Sequence, residues 1–99
     1  MRVRYTDPAA NDFEESLSYL REHAPTVVRE FADAVDQAVT ELLHNPYSTQ
    51  ETEKRGIRRK YIRRFKHSIF YAVEEDEIVI LHIRHAARRW PFESGDDTD

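Results

Sequence analysis

Two stretches near the C-terminal end, Ile69-Phe70-Tyr71-Ala72-Val73 and Ile78-Val79-Ile80-Leu81-His82-Ile83, are apolar on both parities of a two-residue repeat. Successive side chains of a strand point to opposite faces, so such segments must be covered on both sides or nearly so. The rest of the chain has to supply that cover. Its N-terminal half has the required form: Ala10, Phe13, Leu17, Leu20 and Ala24 recur at helical spacing, and so do Val28, Phe31, Val35, Ala38 and Leu42, supported by Ala32, Val39 and Leu43. Asp7-Pro8 predicts the first helix start, with Asp7 capping free amides and Pro8 preorganised for the first turn. Pro25 interrupts the pattern and Asn45-Pro46 ends it. So short a break makes the helices an antiparallel hairpin whose stripes need a sheet.

The remaining segments complete an α+β plan. Arg2 to Thr6 alternates as a short N-terminal strand, and Tyr47 to Gly56 has no apolar period and is expected to be an exposed loop. A three-stranded antiparallel meander follows: Ile57 to Phe65, Ser68 to Glu74 and Glu77 to His85, with turns at Lys66-His67 and Glu75-Asp76. The first of these is crowded with Arg58, Arg59, Lys60, Arg63 and Arg64, and is expected to be only partly covered. With 99 residues there is room for one core, so residues 1–92 are expected to form a single domain and 93–99 an acidic, disordered tail.

Charge is divided unevenly. Residues 1–53 hold four Arg and Lys against eleven Asp and Glu; residues 54–89 hold eleven against four; residues 90–99 add four acidic groups, for a net −4. An acidic chain can therefore still present a basic face, and the local field is what attracts phosphate or an acidic peptide. The absence of cysteine fits a reducing compartment. The N-terminus lacks the pattern of an export leader, and no apolar run approaches the ~20 residues of a membrane span. A cytoplasmic protein is expected. His44 and His67 stand isolated in a helix end and a turn, so no metal site and no cofactor is assigned.

Gly56-Ile57-Arg58-Arg59, Arg63-Arg64-Phe65-Lys66-His67-Ser68-Ile69-Phe70-Tyr71-Ala72-Val73 and Ile83-Arg84-His85-Ala86-Ala87-Arg88-Arg89, in this order after a helix hairpin, resemble the RelE/ParE toxin superfamily over roughly residues 3 to 90. The resemblance implies an antiparallel sheet carrying the hairpin, and a type II toxin–antitoxin or plasmid-stabilisation role. It also implies a cognate antitoxin as partner, in a possible toxin–antitoxin hetero-oligomer. Its branches share one fold, so fold does not choose between them. ParE-like members arrest growth by binding DNA gyrase. RelE-like members are metal-free endoribonucleases that cut mRNA on the ribosome through the RNA's own 2′-hydroxyl. A third possibility is a non-toxic binding module.

Metal-free RNA cleavage needs an acid, a base and cations around the phosphorane. For a ribonuclease, His85 is the candidate acid or base, with Arg88 and Arg64 at the phosphate. Lys60 and Arg63 would join them if the first and last meander strands approach. Arg58, Arg59, Lys60, Arg63, Arg84, Arg89 and Trp90 are the candidate contacts to a target or antitoxin. The basic stripe has a plainer interpretation, a solvated strand edge whose charges prevent aggregation. Phe65, Phe70, Tyr61 and Tyr71 are expected in the core or at its rim rather than as base-stacking groups. An acidic hairpin opposes docking to ribosomal RNA unless it faces away, which tilts the balance toward the gyrase-directed branch.

Overall fold

A computed structural model describes residues 1–88 and 91–92. The elements are β1 (Arg2–Tyr5), α1 (Asp7–His23), a 3-10 turn (Pro25–Val27), α2 (Val28–His44), β2 (Arg58–Ile62), a second 3-10 turn (Arg63–Phe65), β3 (His67–Glu74) and β4 (Glu77–His85). The four strands form one sheet in the order β1-β4-β3-β2. β1 runs parallel to β4, and the β2–β3 and β3–β4 pairs are antiparallel. This is the expected α+β plan: a first strand, a helix hairpin and a meander.

The hairpin covers one face of the sheet. Phe31, Val35, Ala38, Val39 and Leu42 of α2 pack with Ile69, Tyr71, Ile78, Ile80 and Ile83 in a single core. Phe70 and Val79, which alternate to the other face, are also buried, so both parities of β3 and β4 are covered as the sequence requires. The irregularity between Phe70 and Tyr71 shifts the β3–β4 register, so that Phe70 pairs with His82 but Tyr71 pairs with Ile80. That extra residue on β4 keeps Ile83 on the core face together with Ile78 and Ile80.

Several boundaries differ from the sequence expectation, each for an identifiable reason. Thr6, not Asp7, caps α1, because its backbone is still extended (φ −72°, ψ 163°) and its hydroxyl accepts the Ala9 amide at 3.2 Å. The same hydroxyl lies 2.9 Å from the Ile80 carbonyl and donates there, which ties the end of β1 to β4. Phe13, Leu17 and Leu20 of α1 pack against the core as expected, but Ala9 rather than Ala10 is buried there, and the inner face includes two polar groups, Asp12 and Ser16. β2 stops at Ile62 rather than Phe65, since Arg63–Phe65 coil into a turn closed by Lys66 in the left-handed region (φ 54°). His67 belongs to β3 and is buried, not isolated in a turn.

The 46–56 connection is largely exposed, as expected, and is tied to the sheet at several points. The Tyr71 hydroxyl donates to the Pro46 carbonyl at 2.9 Å and pairs with the Thr49 hydroxyl at 2.5 Å. Arg58 bonds the Thr49 carbonyl and lies 4.9 Å over the Tyr47 ring. Gly56 closes the segment with φ +83°, a value that favours glycine.

Candidate functional site

β1 ends at Tyr5, so among the described residues β4 beyond Ile80 has no strand partner on that side. The backbone groups exposed there need other partners. α1 supplies them. Asp12 Oδ2 accepts the Ile83 amide at 3.0 Å, His82 Nδ1–H at 2.9 Å and Arg84 Nε–H at 3.4 Å. One turn further along, the Ser16 hydroxyl lies 3.2 Å from His67 Nε2. The other ring nitrogen, Nδ1, is 2.7 Å from the Phe65 carbonyl, which can only accept. The neutral His67 ring therefore carries its proton on Nδ1 and receives the Ser16 hydrogen at Nε2.

These contacts shape the end of β4 into a groove of about 740 Å³ between α1 and the Arg63–Phe65 turn. Its walls include Tyr19, Leu20, Phe65, His67, His85 and Arg88. The two imidazoles stand perpendicular with centroids 5.1 Å apart. Ala86 donates its amide to the Lys66 carbonyl at 2.7 Å, which clips the strand end to the turn. The Ala87 amide donates to His85 Nδ1 at 3.0 Å, so a neutral His85 holds its proton on Nε2.

Burial pushes the proton affinity of His67 down, and the neighbouring His85 adds to this; the bond to the Phe65 carbonyl opposes it. The unfolded ring takes up its proton near 6.5 and the folded ring only at lower pH, so the unfolded chain binds more protons in that window. Stability is accordingly expected to fall as pH drops below about 6.5, and to level off below the folded ring's value. Urea unfolding from pH 7.5 down to pH 5 checks this. His67→Gln should show a shallower fall than the parent, and equal slopes would remove His67 as the cause.

The acidic and basic portions of the sequence face each other. Lys60 meets Glu41 at 2.8 Å, Arg64 pairs with Glu30, Arg84 reaches Asp12, and Arg88 approaches Glu15 at 3.9 Å. The hydrogen bond and charge of Lys60 hold the Glu41 carboxyl below its usual range. The hairpin thus does not turn its carboxylates away from the basic stripe; it spends several of them on it.

The predicted site residues divide accordingly. His85, Arg88 and Arg64 line the same groove. Lys60 does not join them, since its position in β2 opposite Ile69 directs it to α2. Arg58 is engaged by the 46–56 connection. Arg59 and Arg84 alternate onto the face opposite the helices, in register with Phe70 and Ser68. Arg63 is exposed in its turn. Arg89, Trp90 and the acidic segment 93–99 lie outside the described residues. Of the aromatics, Tyr71 and Phe70 are buried as expected, whereas Tyr61 is 44% exposed with Arg59 above its ring. Sequence reasoning passed over Asp12 and Ser16 and read His67 as isolated in a turn; the available signal for the first two was a pair of polar residues four apart inside an otherwise apolar helix stripe. Among the described residues no group of His, Cys, Asp or Glu is arranged to hold a metal, and no helix is long and apolar enough to cross a membrane.

Comparison with solved structures finds the same fold in toxins of several bacteria. A chromosomal ParDE toxin–antitoxin system from P. aeruginosa matches at 24% identity and a TM-score of 0.74, covering 86% of this chain and 95% of that one. The isolated E. coli RelE toxin matches at 13% identity and a TM-score of 0.61, covering 89% and 86%. The toxin–antitoxin complex of YoeB and YefM from Staphylococcus aureus, a heterotetramer, matches at 13% identity and a TM-score of 0.59, covering 86% and 95%. No curated protein matches the chain. The family model for the ParE toxin of the type II toxin–antitoxin system parDE matches residues 3–90, nearly the whole described fold, and the chain belongs to that family.

Proposed function

We propose that this toxin arrests growth by binding an essential protein, with DNA gyrase as the precedent in the superfamily it resembles, rather than by cutting RNA. The observation that carries this is the engagement of the groove's own cations. Arg88 and Arg64 are each drawn to a helix carboxylate, and Glu15 itself lines the groove. A phosphorane would meet partly neutralised cations and a nearby negative charge. His85 adds to the argument: a neutral ring acting as base through Nε2 would have to move its proton to Nδ1 and give up the Ala87 amide. The match of the ParE family model supports the same branch.

The ribonuclease alternative is favoured by one feature, the shared groove of His85, Arg64 and Arg88. Purified toxin separates the two. Inhibited supercoiling by gyrase with accumulated cleaved DNA, and intact ribosome-bound message, is the expected result; cut message with unaffected gyrase would overturn it.

Residues 1–92 form the domain in this proposal, acting in the cytoplasm with a cognate antitoxin as partner. An amphipathic antitoxin segment would lie along the groove, its apolar side on Tyr19, Leu20 and Phe65 and its acidic side toward Lys66 and Arg88. Capture of the adjacent reading frame's product at micromolar concentration tests this, and no complex would count against it.

A further inference from the structure

The Ser16–His67 pair has the arrangement of an activated nucleophile. The hydroxyl lies 3.2 Å from His67 Nε2, and the ring's Nδ1–H donates to the Phe65 carbonyl at 2.7 Å. A nucleophile, a base and the group that orients the base are therefore hydrogen-bonded in sequence. Phe31 of α2 and His85 of β4 pack edge-on against the ring, with centroids at 4.8 and 5.1 Å. Burial keeps His67 neutral near pH 7, the form that can take up a proton.

The pair is also reachable. Ser16 is half-buried, and both residues line the groove of about 740 Å³ together with Tyr19, Leu20 and Phe65. Those three side chains suit an apolar acyl chain. Lys66 lines the same groove from the turn and brings positive charge for a developing oxyanion.

We propose that Ser16 is an acyl-acceptor site: its hydroxyl attacks the carbonyl carbon of an ester or thioester whose acyl chain lies in the groove. The bond from Oγ to carbon forms, the bond from carbon to the leaving alcohol or thiol breaks, and the Ser16 proton passes through His67 Nε2 to that leaving group. The product is O-acylated Ser16. The inference is independent of whether gyrase or RNA is the target.

The probe is p-nitrophenyl butyrate, with butyrylated residues mapped by mass spectrometry over time. Ser18 and Ser48, both exposed, are comparators within the same chain. Ser16 should be acylated about a hundredfold faster than either, the low end of general-base assistance, because a carbonyl rather than a carboxylate orients the ring. His67→Gln should bring Ser16 down to their rate, and Ser16→Ala should abolish the fast release of nitrophenolate. The pH profile of the parent gives a second reading that needs no variant. Glu15 of α1, Arg64 and Lys66 of the turn, and His85 and Arg88 at the end of β4 share the groove with His67. The Ser16 rate should be level from about pH 7 to pH 9 and fall only below about 6.5, as His67 takes up its proton. An unassisted hydroxyl would instead gain steadily with hydroxide concentration. Equal rates at the three serines, an unchanged Ser16 rate in folded His67→Gln, or a Ser16 rate that climbs throughout this range would each overturn the proposal.

Discussion

Phe31→Ala is expected to cost about 3–5 kcal/mol of stability, the range for removing a buried aromatic ring. The ring is fully buried and touches three others: Phe13 of α1 at 5.9 Å, Phe65 of the turn at 5.3 Å and His67 of β3 at 4.8 Å between centroids. It therefore joins both helices to the floor of the groove. Small domains are stable by only about 5–15 kcal/mol, so the loss would leave the variant close to unfolding at ambient temperature. Urea unfolding at an unchanged denaturant slope measures it. A cost below about 1 kcal/mol would mean that the surrounding residues collapse into the space, against the packing described.

Asp12→Ala should cost about 2–3 kcal/mol although it removes few atoms. The effect comes from what is left behind: the buried Ile83 amide loses its acceptor, and His82 and Arg84 lose the carboxylate they share. Among the described residues no strand lies alongside to replace it, because β1 has already ended. Asp12→Asn, whose carbonyl can still accept the Ile83 amide, should recover part of the loss. Alanine and asparagine variants of equal stability would show that this amide bond is not what matters.

The α2 stripe and the bounds of β4 were legible in the sequence because one period and one burial pattern coincide there. Val28 to Leu42 keeps helical spacing over four turns, and Ile78 to Ile83 admits no alternative to a covered strand. The expected end of β2 at Phe65 failed because the turn depends on Lys66 adopting a positive φ, which a lysine does not advertise as a glycine would. His67 was misplaced for the same reason. The phase of α1 was legible in Phe13, Leu17 and Leu20, but its inner face was taken to be purely apolar, whereas Asp12 and Ser16 serve partners about 70 and 51 positions away in the chain. The polar pair four apart in the stripe was the local trace of these bonds, but nothing local named their partners. The charge asymmetry was visible, but its meaning changed once Glu30, Glu41, Asp12 and Glu15 were seen to answer Arg64, Lys60, Arg84 and Arg88.

The most direct test of the functional proposal is induced expression of the chain alone in a bacterial host, following growth, a reporter message and chromosomal DNA, with His85→Ala and Arg88→Ala expressed in parallel. The account predicts growth arrest with DNA breaks, an SOS response and an intact message, and equal arrest by both variants. Rapid codon-linked cleavage of the message, abolished by His85→Ala or Arg88→Ala, would contradict it and establish the ribonuclease.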